Sequence, residues 1–196
     1  KNRVDSELML GHLQDAAFDI TLDADEADVI VVNTCGFIED AKKESIDTIM
    51  EMAQYKEAGR LKRLVVTGCL VQRYSQELKD GIPEIDVLLG NGEYAQVARA
   101  AVDGLPGVDT TPVVAIDQIK FLHDATTPRV NTFLPHSAYV KIAEGCDQKC
   151  TFCIIPSLRG LQRSRPIDDV VREAEAMAER GVVELNLIAQ DLTGYG

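Results

Sequence analysis

The chain has 196 residues, of which 45% are hydrophobic and 27% are charged. This composition is ordinary for a globular protein and excludes wholesale disorder. The sequence shows neither an apolar run of ~18 residues nor a charged leader followed by an apolar stretch, so we expect a soluble, cytoplasmic protein without a membrane partner. The 32 acidic and 20 basic side chains give a net charge of −12, which argues against direct nucleic-acid binding and favours a basic protein as partner.

Residues 1–104 alternate between helical and strand-like patterns. Apolar residues recur at helical spacing in the segments 4–16, 38–58, 71–80 and 94–103. Short apolar runs, most of them β-branched, lie between these segments at 28–34, 63–68 and 87–89. Because strands that alternate with helices form parallel sheets, we predict an α/β domain of flavodoxin-like type over residues 1–104.

The segment 105–136 breaks this alternation, because proline and glycine punctuate it and helix formers are few. We predict a linker with some extended pieces. A second α/β unit follows in residues 137–196, with a strand at 137–143, a cysteine-bearing loop at 144–165, a helix at 167–180 and a strand at 183–189. One βαβ unit cannot close a barrel, so we expect the first part of a truncated (β/α) barrel.

Three of the five cysteines stand in the spacing C-x3-C-x2-C: Cys146, Cys150 and Cys153. The same spacing fits buried thiols on one helix face, but the neighbouring Gly145 and Pro156 oppose a helix. Thiolates select zinc or iron–sulfur clusters, and a structural zinc site needs four ligands. Three thiolates therefore favour a cubane cluster with one open iron. The loop leaves the C-terminal end of a strand, where α/β barrels build active sites, which favours catalysis.

The motif, with Phe152 before its third cysteine, resembles that of the radical S-adenosylmethionine enzymes. The stretches YVKIAEGCDQKCTFCIIPSLRG, RSRP and ELNLIAQD are similar to the methylthiotransferases of that superfamily, as are KNRVDSE, NTCGFI and TGCL near the N-terminus. Lys1-Asn2 and Ala189-Gln190-Asp191 resemble the branch that modifies a ribosomal-protein aspartate more than the branch that modifies tRNA. The tRNA-modifying branch remains the closest alternative, and a non-catalytic iron–sulfur or zinc scaffold is another.

The resemblance implies two 4Fe-4S clusters and S-adenosylmethionine as cofactors. It implies that Cys146, Cys150 and Cys153 hold the catalytic cluster, which reductively cleaves S-adenosylmethionine. Cys35 and Cys69 match two ligands of the second, sulfur-supplying cluster, whose third cysteine in the family lies two residues before the position of Lys1. The implied reaction is methylthiolation of an aspartate β-carbon of ribosomal protein S-twelve, with flavodoxin or ferredoxin as electron donor.

Further residues are candidates on position alone. Cys35 and Cys69 each follow a predicted parallel strand, so we expect them at one sheet edge, although two buried core thiols would give the same pattern. Arg159, Arg163 and Arg165 could form a cationic pocket for a carboxylate, or could be solvated loop arginines. The candidates for cofactor binding are Phe152, Arg159, Gln190 and Asp191. The last two lie at the end of the second barrel strand. We predict structural roles for His12, His123 and His136, which lack metal-ligand spacing.

Overall fold

The computed structural model describes residues 1–102, 113–116 and 119–196. The chain forms two compact units, an N-terminal unit of residues 2 and 12–118 and a C-terminal unit of residues 1, 3–11 and 119–196. The sequence-based division is different, since it assigns residues 3–11 to the first domain and 119–136 to a linker. The difference arises because Asp5 and Glu7 pair with cations that come much later in the chain. The last residue of the predicted helix 94–103 and the start of the predicted linker lie outside the described residues.

The N-terminal unit contains a four-stranded parallel sheet, which confirms the predicted α/β class. Its strands are β1 (Val29–Thr34), β2 (Arg63–Gly68), β3 (Val87–Leu89) and β4 (Val113–Ala115). Among the described residues these strands lie side by side in chain order, whereas flavodoxin places its second strand on the other side of its first. The fourth strand comes from the predicted linker, because three β-branched or small apolar residues suffice to add one short strand to an open edge.

Helices follow each of the first three strands. They are α2 (Glu39–Glu57), α3 (Cys69–Gly81) and, after a short 3-10 turn at Tyr94–Gln96, α4 (Val97–Val102). The core of the unit consists of apolar side chains from the strands and helices, among them Val32, Ile49, Leu64, Val66, Leu70 and Leu88. Burial of such side chains against a sheet stabilises each by roughly 1.5–3 kcal/mol. The strand ends at one edge of the sheet are thereby held rigidly.

The C-terminal unit is built on a βαβ motif. Strand β5 (Ser137–Lys141) and strand β8 (Glu184–Ile188) pair in parallel, and α6 (Ile167–Glu179) connects them. A small core of alanine, valine and methionine side chains lies between helix and strands, including Ala138, Val140, Met177 and Val182. Residues 3–11 of α1 (Asn2–Asp15) also belong to this unit.

The segment 144–165, predicted as one long loop, contains regular structure. Strand β6 (Ala143–Glu144) pairs antiparallel with β7 (Arg163–Ser164), and the short helix α5 (Ile155–Arg159) lies between them. Elements of two to five residues carry too little periodicity to be read from sequence, which explains the difference. Among the helices of the described residues, none is both long and apolar enough to cross a membrane.

Candidate functional site

The three cysteines of the C-x3-C-x2-C motif and the end of strand β8 line one cavity. Its volume is about 370 Å³, and its walls include Cys146, Cys150, Cys153, Gln190 and Asp191. The cysteine segment follows β5 and β6, whereas Gln190 and Asp191 follow β8, the parallel neighbour of β5. The structure thus brings these five sequence-predicted residues together at the C-terminal edge of the strands, where barrel enzymes place their chemistry.

The base of the cysteine segment is fixed by close backbone packing at Gly145. This residue has φ +82°, and a Cβ there would lie 2.1 Å from the carbonyl oxygen of Leu161. The adjacent Cys146 N–H donates to the carbonyl of Gly160 over 3.2 Å. A side chain at position 145 is excluded both by the left-handed conformation and by the neighbouring backbone. The first thiol therefore starts from a defined position.

Side-chain hydrogen bonds join the cysteine segment to the residues after β8. Gln148 Nε2 donates to the Asp191 carboxylate over 2.8 Å, and Gln162 Nε2 donates to the Asp191 carbonyl over 3.1 Å. The backbone N–H of Gln162 donates in turn to Asp147 over 2.7 Å. The pKa of Asp191 is lowered by hydrogen bonds, first from Thr193 and then from Gln148. Asp191 is thus an ionised acceptor at the cavity wall.

The chemistry of the three thiols suits an iron–sulfur cluster. All three are free; Cys146 is buried, Cys153 is half-buried and Cys150 is exposed. Within the described part of the chain, no three His, Cys, Asp or Glu side chains are close enough to hold a single metal ion. A structural zinc site takes four ligands, whereas three thiolates can hold a cubane cluster that has one open iron. By the number of its thiolates, the donor set therefore fits such a cluster better than structural zinc.

A buried cluster of four charged side chains lies directly beside the cysteine segment. Lys141 Nζ contacts Asp5 at 2.6 Å and Glu144 at 2.7 Å, while Arg159 Nη1 contacts Asp5 at 2.7 Å. Each of the four residues is at most 4% exposed. Burial alone would raise the pKa of Asp5, but Arg159 and Lys141 hold that pKa well below its usual range. Similarly, burial acts to lower the pKa of Lys141, and the carboxylates of Asp5 and Glu144 outweigh it and raise the pKa.

This charge cluster was not predicted, although the sequence contains a signal for it. Lys141 and Glu144 are charged residues inside the strand segment 137–144, which is otherwise mostly apolar. Charged side chains are almost never fully buried unless they are paired. Two opposite charges in an otherwise apolar strand segment therefore indicate buried ion pairs.

The cationic pocket predicted from three arginines is corrected by the structure. Arg159 forms an ion pair with Asp5, and Arg165 forms ion pairs with Asp169, at 2.7 Å, and with Glu173. Arg163 donates to the carbonyl oxygens of Leu161 and Arg159. Among the described residues, the wall of the cysteine cavity contains no arginine. Buried guanidinium groups pair with carboxylates of the fold because an unpaired buried charge is costly. The partner of Arg159 lies 154 residues away in sequence, whereas those of Arg165 lie four and eight residues after it.

Phe152 does not contribute to the cavity wall formed by the described residues. Its side chain is 88% exposed, although it directly precedes Cys153. A contact between Phe152 and the cofactor stays a prediction, and the geometry gives it no support.

Cys35 and Cys69 lie at the same edge of the N-terminal sheet. They directly follow Thr34 and Gly68, which are register partners at the ends of β1 and β2. A Cβ on Gly36 would lie 2.7 Å from the carbonyl oxygen of Cys69, so the two cysteine-bearing turns touch. The Ser45 hydroxyl accepts the backbone N–H of Cys35 over 3.1 Å and fixes that turn from helix α2. The adjacency expected from the parallel strands is present in the structure.

Comparisons with known proteins agree with this arrangement. A family described as "Uncharacterized protein family UPF0004" matches residues 1–90, and the Radical SAM superfamily matches residues 140–195. Over its whole length the chain is 57% identical to a protein of Anaeromyxobacter sp. (strain Fw109-5) and 54% identical to one of Myxococcus xanthus (strain DK1622). A protein of Clostridioides difficile (strain 630) is 49% identical, and all three are named "Ribosomal protein uS12 methylthiotransferase RimO".

The chain is thus similar over its whole length to proteins named as methylthiotransferases, and two family models match separate parts of it. It spans 41%, 40% and 44% of the lengths of those three relatives. The match to the Radical SAM superfamily covers all three cysteines of the cavity as well as Gln190 and Asp191.

One solved structure has a fold similar to that of this chain. It is described as the radical S-adenosylmethionine methyltransferase TsrM from Kitasatospora setae, with tryptophan substrate and a SAM analog bound. The TM-score is 0.52 at 14% sequence identity, and the alignment covers 95% of this chain and 40% of that one. At this identity the likeness concerns the fold alone.

Proposed function

We propose that this chain carries the radical S-adenosylmethionine centre of an enzyme that methylthiolates an aspartate β-carbon of ribosomal protein uS12. The observation that carries the proposal is the shared cavity, in which three free thiols and the residues after β8 meet. The names of the relatives supply the substrate protein. The net charge of −12 supports a basic protein as substrate, since opposite charge speeds encounter.

Cys146, Cys150 and Cys153 would hold a 4Fe-4S cluster whose fourth iron is free for S-adenosylmethionine. When bound, cluster and S-adenosylmethionine supply the reductive cleavage that permits hydrogen abstraction from an unactivated C–H bond, which side-chain acids and bases cannot achieve. The protein binds, orients and shields these reactants. A cavity of about 370 Å³ lies within the range of small-molecule sites.

Gln190 and Asp191 would contact S-adenosylmethionine from the opposite wall of the cavity. The ionised Asp191 offers an acceptor for a cationic group, and its bonds to Gln148 and Gln162 hold it in place. Because Gln148 lies between Cys146 and Cys150, movement of the thiol segment and of the cofactor-binding residues would be coupled. Such fixed positioning is what the protein contributes in cofactor enzymes.

Cys35 and Cys69 would be ligands of a second 4Fe-4S cluster that provides the sulfur, together with a third cysteine from outside these 196 residues. Their adjacency at one sheet edge supports this assignment. All five cysteines are free thiols, which is consistent with a reducing compartment such as the cytoplasm. A flavodoxin or ferredoxin is the electron donor that we propose.

The test is product analysis with a protein that extends this chain to the length of its relatives. After anaerobic reconstitution, uS12 should gain the mass of one methylthio group in the presence of S-adenosylmethionine and reductant, and fragmentation should locate it on an aspartate. Bulk tRNA incubated in parallel should remain unmodified. Modified tRNA with unmodified uS12 would assign the chain to the tRNA branch instead.

A further inference from the structure

Three neighbouring strands of the N-terminal sheet end at one edge, and each is followed by a polar or thiol side chain. Cys35 follows β1, Cys69 follows β2, and Asn91 comes two residues after β3. The strands are in register at this edge, where Thr67 is paired with Leu89. The topology therefore places Asn91 next to the cysteine pair, and nothing in the sequence analysis singled it out.

The Asn91 amide contacts the sulfur of Cys69. Its Nδ2 lies 3.6 Å from Cys69 Sγ, and the same sulfur lies 3.8 Å from Asn91 Oδ1. Both residues are buried, with 3% of Asn91 and 7% of Cys69 exposed. A thiol can donate to Oδ1, but a thiolate can only accept, so that the contact from Nδ2 is the one that a deprotonated sulfur uses.

Two further contacts fix the orientation of this amide. The buried Tyr94 hydroxyl donates to Asn91 Oδ1 over 3.0 Å, and the Asn91 backbone N–H donates to Gln72 Oε1 over 3.0 Å. Because the hydroxyl occupies the carbonyl side of the amide, the NH2 side remains directed at the sulfur. A donor held in this way needs no rearrangement when charge develops on its acceptor.

We propose that Asn91 is a positioning residue that donates a hydrogen bond to the Cys69 thiolate and tunes the reduction potential of the cluster bound there. This inference rests on the proposed role of Cys69 as a cluster ligand. Hydrogen bonds to ligand sulfurs, together with burial, set the potential of iron–sulfur clusters. Since donation stabilises the more electron-rich state, Asn91 raises the potential of the second cluster.

The test is a redox titration of the reconstituted protein, extended to the length of its relatives. Electron paramagnetic resonance reports the fraction of the cluster that is reduced. A Cys146→Ala background removes the other cluster, so that the signal belongs to the Cys69 site. Asn91→Leu should lower the reduced-to-oxidised ratio at a given potential on the order of tenfold, a downward shift of about 59 mV for a one-electron couple. Tyr94→Phe should shift the midpoint in the same direction by less, because the amide loses its fixed orientation.

Two further variants keep the result interpretable. Asn91→Asp has the same shape but no side-chain donor, so it should also lower the midpoint even if Asn91→Leu fails to fold. Asn186→Leu, which removes an amide from the C-terminal unit, is the matched control and should leave the midpoint unchanged. An unchanged midpoint in both Asn91 variants, with the cluster present, overturns the inference and leaves the proposed function standing. If the Cys146→Ala protein with Asn91 unchanged retains no iron, both the ligand role of Cys69 and this inference are overturned.

Discussion

Gln190 Nε2 donates to Glu144 Oε1 over 2.6 Å. This hydrogen bond joins Gln190, two residues after the end of β8, to Glu144, two residues before Cys146. Glu144 Oε1 also accepts the Gly145 N–H over 3.3 Å, and Glu144 Oε2 accepts from Lys141. One buried carboxylate therefore links the thiol segment, the segment that follows β8 and the buried charge cluster.

Replacement of that carboxylate should destabilise the C-terminal unit. Glu144→Gln leaves Lys141 and Arg159 with Asp5 as their remaining carboxylate in this cluster, and breaking a buried ion pair costs about 3–5 kcal/mol. Urea denaturation of the variant should show this loss of unfolding free energy. The control is Glu184→Gln on the exposed side of β8, for which we expect a change within about 0.5 kcal/mol. Equal stabilities of the two variants would show that the Glu144 carboxylate does not stabilise the C-terminal unit.

Asp5 and Arg159 should show strong energetic coupling. Each single variant, Asp5→Asn or Arg159→Met, leaves an uncompensated charge in a buried site, whereas the double variant removes one charge of each sign. We expect the double variant to be more stable than the sum of the single losses predicts, by about 0.5–3 kcal/mol. A double-mutant cycle by denaturant unfolding measures this quantity. Strict additivity would contradict the ion pair.

Gly145→Ala should disrupt the cysteine segment. The added Cβ would meet the Leu161 carbonyl oxygen at 2.1 Å in a backbone with φ +82°, and the backbone of this segment would have to move. Gly181→Ala is a matched control, because Gly181 has φ +92° but no atom within 4 Å of its Cβ position. The control should lose about 1–2 kcal/mol from the left-handed conformation alone. The Gly145 variant should lose more, and should also bind less iron on reconstitution.

Acid should destabilise the C-terminal unit through His123 and Glu173. Burial lowers the pKa of His123 below 6.5. Burial alone would raise the pKa of Glu173, but the His123 ring, 3.7 Å away, and the Arg165 charge lower it from 4.5 to about 2. Both groups bind protons more tightly in the unfolded chain, so the stability that they provide is present above their ordinary pKa values and is lost as pH falls.

Denaturant unfolding at a series of pH values checks this expectation. The free energy of unfolding should begin to fall below about pH 6.5 and fall further from about 4.5 towards 2, with Glu173 accounting for a loss on the order of 3 kcal/mol. His123→Asn should flatten the upper part of the profile. His136→Asn, at an exposed position, should not, and identical profiles for the two variants would contradict the assignment.

Most of the fold could be predicted from hydrophobic pattern. The long helices and the strands at Val29–Thr34 and Arg63–Gly68 have enough apolar residues at one period to be recognised. Strand β3 is also only three residues long, but its place between two helical segments made it predictable. Strand β4 and the pair β6–β7 are as short and lie outside that alternation, so they could not be predicted. Their formation depends on an open sheet edge or on a facing segment, which are properties of the folded chain.

The site was predictable where local spacing carries the chemistry. Cys146, Cys150 and Cys153 lie within eight residues, and the strand-end rule brings Gln190 and Asp191 to the same cavity. The arginine pocket could be judged only in part from sequence: Asp169 and Glu173 lie four and eight residues after Arg165, but the partner of Arg159 depends on tertiary structure. Asp5 lies 154 residues before Arg159, and no local pattern connects them.

The measurement that tests the central claim most directly is the yield of 5′-deoxyadenosine from S-adenosylmethionine and reductant, with iron content determined on the same anaerobically reconstituted samples. The protein, extended to the length of its relatives, should form 5′-deoxyadenosine, and Cys150→Ala should lose both this product and the iron of one cluster. Ser157→Ala, an exposed position in the same segment, serves as the control and should retain both. A Cys150→Ala variant with the yield and iron content of the unmodified protein would contradict the assignment of the three thiols to a radical S-adenosylmethionine centre.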